Sequence, residues 1–547
     1  MKMNQKADIV LSSHAVFTGL TDKPIPAYIA IVNNKIAAIG SKIEMNPFIG
    51  PDTKEHHFSD QLIMAGFHDF HLHMLMGSLA EESVFLADAS SEEDAINMVV
   101  DFAISRPDDP WIIGFSWDQR NWDNNRLPNR AALDGVLPDR PVLLFHMEGH
   151  YVWVNSKALE IANINRNTDC PPHGIIAKDE NSEPTGILYE TASALVTNHA
   201  FNFSKERRIR MMKNFLEQAA ALGVTSVNDL YGSPAMEKLQ DYELFANFDK
   251  NRELTARIHL LPPLNDDLEN AKQLRDMYTS SKLQVSGLKQ FVDGVISGYT
   301  AYFLEPYADK PETFGETAVS PDMMKKWIVE ADREGFQVRL HAIGDGAIRL
   351  ALDAFEEAQK INGKRDSRHC IEHVEVIHPD DIARFKELGV IASMQPEHLG
   401  FNEEQRQNYI SRIGQEREPF VFAMKTLKDS GALLALGTDY PIAQLNPMFG
   451  IYRALTRIGY DGLPTEGFNP QECLSLPEVL RDYTLSPAFG SFREKELGTL
   501  EVGKLADLVV LDRNLFEIPV EDIRDVRVVL TMVDGAIVFQ NDYACKL

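Results

Sequence analysis

The middle of the chain alternates short apolar runs with amphipathic stretches of helical period. Several of these stretches open with a capping residue and proline, as at Ser320-Pro321 and His378-Pro379, and two of them end at Gly335 and Gly389. The pattern predicts an α/β fold, and eight strands is the number found in a (β/α)8 TIM barrel. The competing layout is a doubly wound open sheet, but no GxGxxG motif follows an early strand. The predicted strands are 63–73, 224–230, 257–262, 288–293, 337–341, 369–374, 390–395 and 433–439.

The two ends of the chain resemble each other and differ from the middle. ADIVLSSHAVFTG and AYIAIVNNKIAAIG near the start read as strands, with a turn at Asn33-Asn34. ADLVVLD and RVVLTMVDGAIVF near the end read the same way, with a turn at Asp534-Gly535. We therefore expect a small β-sandwich domain built from residues 1–62 and 491–547, with the barrel at 63–490, although two separate hairpins would produce the same pattern.

One connection is far longer than an ordinary loop between a strand and a helix. Residues 80–204 separate the first predicted strand from the helix near 205–222. We expect this stretch to be a folded insertion over the mouth of the barrel at the carboxyl ends of its strands. It contains four of the five tryptophans, which are Trp111, Trp117, Trp122 and Trp153.

Composition excludes several classes of protein. The 547 residues are 44% hydrophobic and 25% charged, which is typical of a globular protein with a large core, and the formal net charge is −27. An acidic surface repels phosphate backbones and anionic lipids, so we expect no nucleic-acid partner and no membrane association.

Cysteine usage and the absence of targeting patterns bear on the compartment. The four cysteines have no close spacing, which fits a reducing environment. The N-terminal MKMNQKADIVLSS lacks the apolar core of a signal peptide, and no run of 18 apolar residues occurs. We expect a cytoplasmic protein. The cysteines are Cys170, Cys370, Cys473 and Cys545.

Side chains that bind metals recur where the predicted strands end. In a barrel, reactive groups project from the carboxyl ends of the strands. His71 and His73 end the first strand, and two histidines at i and i+2 on a strand point to the same face, so both can reach one metal. The other such residues are Lys289 on the fourth strand, His341 on the fifth, His373 on the sixth and Asp439 on the eighth.

A lone HxH pair is as often structural as metal-binding, and we take His14, His56, His57 and His199 to be core or surface residues. The recurrence at successive strand ends of one predicted sheet favours a metal site.

The chain resembles the amidohydrolase superfamily of metal-dependent hydrolases, and most of all its YtcJ-like (amidohydrolase 3) branch, which includes N-substituted formamide deformylase. The similarity runs almost from end to end and is specific in the metal motifs and in the C-terminal stretch. The matching stretches are AGFHDFHLHM, GFSWDQRNW, GHYVWVNSKALE, LKQFVDG, LHAIGDGAI, IEHVEV, SMQPEH, LGTDYP and GTLEVGKLADLVVLDRN.

The resemblance implies a set of divalent metal ligands, with Zn²⁺ as the expected ion and one or two ions per chain. His71, His73 and Asp439 would bind the more buried metal, and His341 and His373 the second. Lys289 is similar to the lysine that carries a CO₂-derived carbamate and bridges both ions in binuclear members. A free ammonium would repel two cations, whereas a carbamate is an anionic ligand. The alternative is an unmodified lysine beside a mononuclear site.

The metals would activate a water and polarise a substrate carbonyl. Asp439, a ligand beside that water, would act as the catalytic acid–base group.

Other residues are candidates for supporting roles. Asp69 and Asp345 are expected to orient ligand histidines or to cap turns. Gln395 and His398 end the seventh strand, where the family places groups that face substrate. Position 68 is His where the family usually has an aliphatic residue, and we do not count it as a ligand.

Three aromatic residues are also expected to bind substrate: Trp117 and His150 of the insertion and Tyr299 on the loop after the fourth strand. The alternative is that these rings pack the insertion onto the barrel.

The sequence thus predicts a hydrolase that cleaves a non-peptide C–N bond, of amide or formamide type, in a small molecule. The same metal site could instead hydrolyse an ester, a lactone or a cyclic amide. A third alternative is a metal-stabilised binding protein without catalysis. Family members often form homodimers, but no segment identifies an interface.

Overall fold

The computed structural model describes residues 6–122, 126–147 and 149–541 and divides the chain into two compact units. Unit 1 comprises Met1–Leu72, Leu216–Leu230 and Phe248–Leu547. Unit 2 comprises His73–Phe215 and Tyr231–Asn247.

An eight-stranded sheet in unit 1 joins the two ends of the chain. Met64 pairs with Val509 in antiparallel register, so a strand from the start of the chain lies beside one from its end. Alternate side chains from both ends pack into one apolar core, which includes Leu11, Ile63 and Val510. The strands, in spatial order, are Ala536–Gln540, Val528–Val533, Leu508–Leu511, Leu62–Ala65, Ile9–Phe17, Ile25–Val32 and Lys35–Gly40, with Lys54–His57 paired to Ile9–Phe17.

The two predicted hairpin turns are present in this sheet. Asn33 and Asp534 adopt left-handed φ angles of 54° and 56°, which Asn and Asp tolerate better than other residues with a side chain. Gly535 follows at φ 75°. The side chain of Asn34 donates a 3.0 Å hydrogen bond to Asp534, so the two hairpins contact each other.

The rest of unit 1 contains parallel strands in two hydrogen-bonded sheets. Isolated parallel bridges pair Pro263 with Lys289 and Leu72 with Tyr440, so the sheets adjoin each other and the first strand lies beside the chain that follows the last one. The first sheet runs Leu283–Val285, Arg257–Leu261, Val224–Leu230 and Phe67–Leu72, and the second runs Leu288–Phe291, Val338–Ala342, Cys370–His373, Ile391–Met394 and Leu433–Leu436.

The first predicted strand, 63–73, is two strands in the structure. Leu62–Ala65 belongs to the terminal sheet and Phe67–Leu72 to the parallel strands. Gly66 separates them because a Cβ there would lie 2.2 Å from the side chain of Thr225, so only glycine permits this close approach.

Amphipathic helices connect the parallel strands. Ser320 caps its helix by accepting a hydrogen bond from the amide of Met323, and Gly389 ends another in the left-handed conformation. The α-helices that lie wholly in unit 1 are Lys42–Met45, Leu268–Met277, Pro321–Arg333, Asp345–Asn362, Pro379–Leu388, Glu403–Ile413, Met424–Asp429, Pro447–Thr456, Leu476–Asp482 and Leu485–Gly490. Lys205–Ala221 and Tyr242–Lys250 each run from unit 2 into unit 1.

Unit 2 has its own sheet and core. Trp117, Trp122 and Trp153 pack together at its centre, with ring centroids 5.9 to 6.3 Å apart. The strands, in spatial order, are Gly174–Lys178, Pro184–Glu190, Tyr151–Val154, Val142–His146, Ile112–Trp117 and Val84–Phe85. The α-helices are Met74–Glu81, Glu92–Ser105, Arg130–Asp134, Ser156–Ile161 and Ala194–Ala200.

The boundary of unit 2 differs from the predicted insertion, 80–204. The unit begins at His73 because the helix Met74–Glu81 packs within it, where the hydroxyl of Ser78 donates to the carbonyl of Met211. It also takes in the segment Tyr231–Asn247, which follows the strand Val224–Leu230 and lies outside the predicted range.

The described part of the chain has no helix that combines the length and the apolar character needed to cross a bilayer. Cys170, Cys370 and Cys473 carry free thiols, and Cys545 lies outside the described residues.

Candidate metal centre

Three predicted ligands converge where parallel strands end. The ligand atoms of His71, His373 and Asp439 all lie within 4.8 Å of one another, and all three residues are buried. His71 lies on Phe67–Leu72, His373 ends Cys370–His373, and Asp439 follows Leu433–Leu436. Three different strands therefore supply one cluster.

The tautomer of His71 follows from its hydrogen bond to Glu372. Nδ1 of His71 lies 2.6 Å from Oε2 of Glu372, and a carboxylate accepts hydrogen bonds. Nδ1 therefore carries the proton, and in the neutral ring Nε2 carries the lone pair. Such a carboxylate–histidine contact orients metal-binding imidazoles in other proteins.

The lone pair of His71 faces a carboxylate. Nε2 of His71 lies 3.3 Å from Oδ1 of Asp439, so two groups that both donate electron pairs meet in a buried site. A cation between them removes the repulsion. Two ligand atoms about 2.1 Å from a tetrahedral zinc lie about 3.4 Å apart, so the donor set fits such an ion.

Arg339 balances the charge of Glu372. Its Nε lies 2.6 Å from Oε1 of Glu372, and its Nη2 reaches the same carboxylate and donates to the carbonyl of Phe70. Burial disfavours the charged carboxylate, but Arg339 and His71 outweigh it and hold the pKa of Glu372 below its ordinary value. Glu372 therefore stays ionised as the acceptor for His71.

His373 and His341 are neighbours in the cluster. Their ring centroids lie 4.6 Å apart, and the pKa of His373 is well below its ordinary value because of burial and the nearby His341 and His71. Nε2 of His341 lies 3.1 Å from the carbonyl of Gly294 and must donate to it. Nδ1 of His341 then carries the lone pair. Neutral imidazoles are the form that binds metals.

Backbone strain marks the same place. His373 has φ 72° and Asp439 has φ 60°, both in the left-handed region that residues with a side chain rarely adopt. Each such residue costs about 1–3 kcal/mol, and such positions cluster at functional sites.

Lys289 is buried, with 1% of its surface exposed, and its ammonium has no hydrogen-bond partner among the described residues. Burial lowers the pKa of Lys289 to about 8, and Arg339 adds to that effect, although Glu372 and Asp439 oppose it. The neutral amine, which is the form that reacts with CO₂, is thus more abundant near neutral pH than in an exposed lysine.

The loop after Leu288–Phe291 is fixed by Asp293. Its carboxylate accepts hydrogen bonds from the amides of Tyr302, Ile343 and Gly344 at 2.9–3.0 Å. Burial raises the pKa of Asp293 to about 7, although these hydrogen bonds oppose the shift.

His398 lies next to the cluster. Its Nε2 is 3.4 Å from Oδ2 of Asp439, its Nδ1 is 4.0 Å from Oε1 of Glu375, and its ring stacks on that of His373 at 5.6 Å. Burial disfavours the charged ring, but Asp439 and Glu375 outweigh it and raise the pKa of His398.

The other residues predicted near the metals lie as follows. His73 is the first residue of unit 2, precedes the helix Met74–Glu81 and has the extended backbone angles φ −130° and ψ 90°. Asp69 accepts from the backbone amides of His71 and Thr438. Asp345 begins a helix and accepts from the amide of Leu304. Asp69 also accepts from the hydroxyl of Thr438, and Nε of Arg417 lies 3.4 Å from Oδ2 of Asp345.

The predicted substrate-binding aromatics have contacts within their own units. The hydroxyl of Tyr299 donates to Asp309, and Lys310 and Arg412 lie over its ring. Trp117 is fully buried, and its indole N–H donates to the carbonyl of Leu144. These contacts favour a packing role for both rings.

His150, in the same unit as Trp117, contacts the carboxylate of Glu190 at 3.0 Å. Gln395 is fully buried beyond the strand Ile391–Met394.

Glu372, Arg339 and Asp293 are buried charged residues beside the cluster that sequence reasoning missed. The available signal was a charged residue inside an apolar run, as in CIEH and VRLHA. Oppositely charged residues on neighbouring buried strands rarely occur unless they pair with each other.

The chain belongs to the amidohydrolase family. The family model for this group, Amidohydro_3, matches residues 59–539, which include every predicted metal ligand.

Three curated relatives are similar over nearly the whole chain. Protein LONG AFTER FAR-RED 3 of Arabidopsis thaliana is 33% identical over 93% of this chain and 88% of its own length. YtcJ of Bacillus subtilis is 29% identical over 96% and 98%. N-substituted formamide deformylase of Arthrobacter pascens is 26% identical over 98% and 99%. The chain therefore falls in the YtcJ-like branch.

A solved structure shares the fold. An uncharacterized metal-dependent hydrolase from Pyrococcus horikoshii matches with a TM-score of 0.75 and 25% identity, over 94% of this chain and 99% of that one. The chain is thus related to metal-dependent hydrolases in sequence and in structure.

Proposed function

We propose that this protein is a metal-dependent hydrolase that cleaves a non-peptide C–N bond, of amide or formamide type, in a small molecule. The observation that carries the proposal is the buried 3.3 Å contact between Nε2 of His71 and the carboxylate of Asp439, with Glu372 at the other ring nitrogen. We further propose that the parallel strands form a closed (β/α)8 barrel with the site at their carboxyl ends, in which Leu283–Val285 and Leu288–Phe291 are one interrupted strand because both pair with the stretch from Ile258 to Pro263.

The proposed metal ligands are the six predicted ones. His71, His73 and Asp439 would hold one ion and His341 and His373 the other, with a carbamate on Lys289 as the shared ligand. Zn²⁺ suits a site of imidazole and carboxylate donors. A divalent ion there would polarise the substrate carbonyl and lower the pKa of the attacking water.

Asp439 is the proposed proton carrier. Its carboxylate takes the proton of the attacking water and delivers it to the leaving nitrogen. His398 contacts the second oxygen of Asp439 and so holds the carboxylate in one orientation. Loss of the Asp439 carboxylate, or of the His398 contact that orients it, is therefore expected to slow the reaction.

The substrate class rests on one relative and on the residues near the site. The Arthrobacter relative is named for the deformylation of N-substituted formamides. Gln395 and His398 are the proposed substrate contacts from unit 1. Trp117, His150 and Tyr299 remain predictions as substrate contacts.

Elemental analysis tests the metal site directly. The protein is purified without chelator and with bicarbonate, as wild type and as Lys289→Ala. We expect about two metal equivalents per chain in the wild type and a sharp fall in the variant. Lys282→Ala is the control, because the Lys282 side chain donates to the carbonyl of Leu254 and should leave the metal content unchanged.

Other outcomes of the same measurement decide against parts of the proposal. About one equivalent, unchanged in Lys289→Ala, would remove the carbamate and leave a mononuclear enzyme. A protein that binds no metal even after addition of zinc would overturn the proposal of a metal-dependent hydrolase. A panel of amides, formamides, esters and lactones then identifies the bond, and turnover of esters alone would overturn C–N specificity.

A further inference from the structure

The side-chain carboxamide of Gln395 is buried and has no hydrogen-bond partner among the described residues. This holds for both Oε1 and Nε2, and the residue is fully buried. A buried amide left unpaired costs about 1–3 kcal/mol, so native proteins rarely retain one without a reason. The backbone of Gln395 is otherwise ordinary, since its carbonyl accepts from the amide of His398 at 3.1 Å.

The direction of the Gln395 side chain follows from its strand. The backbone is still extended at Gln395, with φ −121° and ψ 95°, so residues 393 and 395 share a face. Ser393 lies on the inner face, because its hydroxyl is 3.2 Å from Nη2 of Arg339, which pairs with Glu372. Gln395 therefore faces inward, one layer nearer to the carboxyl ends of the strands.

That layer is the layer of the metal cluster. The amide of Gly437 donates to the carbonyl of Met394, the residue before Gln395. A Cβ on Gly437 would lie 2.5 Å from the backbone nitrogen of His71. The chain at Gln395 is thus one strand away from the backbone that carries His71.

We infer that Gln395 recognises the substrate through a paired donor and acceptor, and that the substrate class is an amide whose N–H and C=O lie on the same side. Primary amides, lactams and cyclic ureides have this arrangement. The inference rests on the proposed function and narrows its substrate class.

The chemistry of the carboxamide makes the selection. Oε1 of Gln395 only accepts and Nε2 only donates, so a partner that satisfies both must offer one donor and one acceptor side by side, which an amide does with its N–H and C=O. A carbonyl oxygen has two lone pairs, so one can face Nε2 while the other remains available for polarisation. A lactone or an N-methyl lactam lacks the N–H and leaves Oε1 unpaired. A site built to bind an N–H rejects analogues without it.

Three ring compounds of one size test the inference: a δ-lactam with a free N–H, its N-methyl derivative and the matching δ-lactone. Each compound is measured as a substrate, and its binding to the metal-loaded enzyme is measured separately by isothermal titration calorimetry. For wild type we expect the free lactam to bind about 10- to 100-fold more tightly than the other two. Gln395→Met keeps the length of the side chain, removes both polar atoms and should abolish the preference.

Two further variants sharpen the assignment. Gln395→Glu keeps the acceptor but loses the donor, and should weaken all three compounds because each presents a carbonyl. Gln337→Met is the matched control. Gln337 is a buried glutamine that precedes the strand Val338–Ala342, at the amino end of the strand, and its Nε2 already donates to the carbonyls of Arg368 and Gly490. The control should retain the lactam preference even if its stability falls.

Equal binding of the three compounds by wild type, or a preference that survives Gln395→Met, would overturn the inference and leave the hydrolase intact. Failure of the proposed function gives a different result, because no C–N bond in the panel is then cleaved, whatever the binding constants show.

Discussion

Unit 1 contains two buried pairs of histidines that look alike in geometry and differ in their neighbours. The rings of His71 and His373 lie 4.9 Å apart, and the rings of His68 and His259 lie 5.2 Å apart and stack. All four residues are buried among the parallel strands. Proximity and burial therefore do not distinguish the two pairs.

The hydrogen-bond partners do distinguish them. His71 contacts the carboxylates of Glu372 and Asp439, whereas His68 bonds the amide oxygen of Asn228 and His259 bonds the hydroxyl of Ser286, both at 2.7 Å. Carboxylates supply the negative charge that a metal ion needs, and neutral partners do not. A histidine pair is a candidate metal site when acidic residues face it.

The largest expected effect comes from removing the Asp439 carboxylate, which contacts His71. Asp439→Asn keeps the shape of the side chain but removes the proton acceptor, so kcat/KM should fall about 10²- to 10⁴-fold. Steady-state kinetics on the amide that the panel identifies, with circular dichroism as the control for folding, measures it. Full activity in a folded Asp439→Asn protein would exclude this residue as the base.

A smaller effect is expected when the acceptor behind His71 loses its charge. Glu372→Gln should weaken metal binding about 10- to 100-fold, because a neutral amide oxygen is a weaker acceptor for Nδ1–H of His71 than a carboxylate and makes the imidazole a poorer ligand. Competition with a chelator of known affinity measures the change. Ser286→Ala, which removes the partner of His259 in the neutral pair, is the control and should leave metal affinity unaltered. Equal losses in both variants would mean that the two pairs do not differ as argued.

The smallest expected effect is a loss of folding stability in acid that arises from His68 and His259. Burial lowers the pKa of His68 to about 3, against an ordinary value of 6.5, and burial with the neighbouring His68 also lowers that of His259. Below pH 6.5 these two histidines are protonated in the unfolded chain but stay neutral in the folded protein. The free energy of unfolding therefore falls as pH drops from 6.5 toward 3. At pH 5 the loss from His68 is about 2 kcal/mol.

His68→Gln checks this effect, since an amide nitrogen can still donate to Asn228 but does not titrate. The variant should lose less thermal stability than wild type between pH 7 and pH 5. Identical shifts in the unfolding temperature would show that His68 is not a source of the acid sensitivity.

The polar pattern of the sequence anticipated the residues at the strand ends but not those behind them. His71, His373 and Asp439 could be found because each follows an apolar run and a barrel gathers such positions. Glu372 and Arg339 lie inside the runs. Their positions near the cluster can be predicted only when the strand register, which places Glu372 opposite His341, is known. Register depends on contacts far apart in the chain, which periodicity does not encode.

The fold shows the same limit. The helices and most of the parallel strands follow from period and capping, but the division at Gly66 depends on the approach of Thr225, about 160 residues later. Likewise, the aromatic composition of the insertion predicted either a pocket lining or packing, and it did not predict that Trp117 lies in the core of unit 2 with its N–H bonded to Leu144. Composition shows that aromatic rings are present but not which surfaces they cover.

The contact between Asn34 and Asp534 spans 500 residues. A ribosome that adds about 5–20 residues per second needs about 25–100 s to make that stretch. During synthesis the N-terminal strands have an unpaired edge and an uncovered apolar face until the last strands emerge. Completion of the terminal sheet is therefore a late event in the synthesis of this chain.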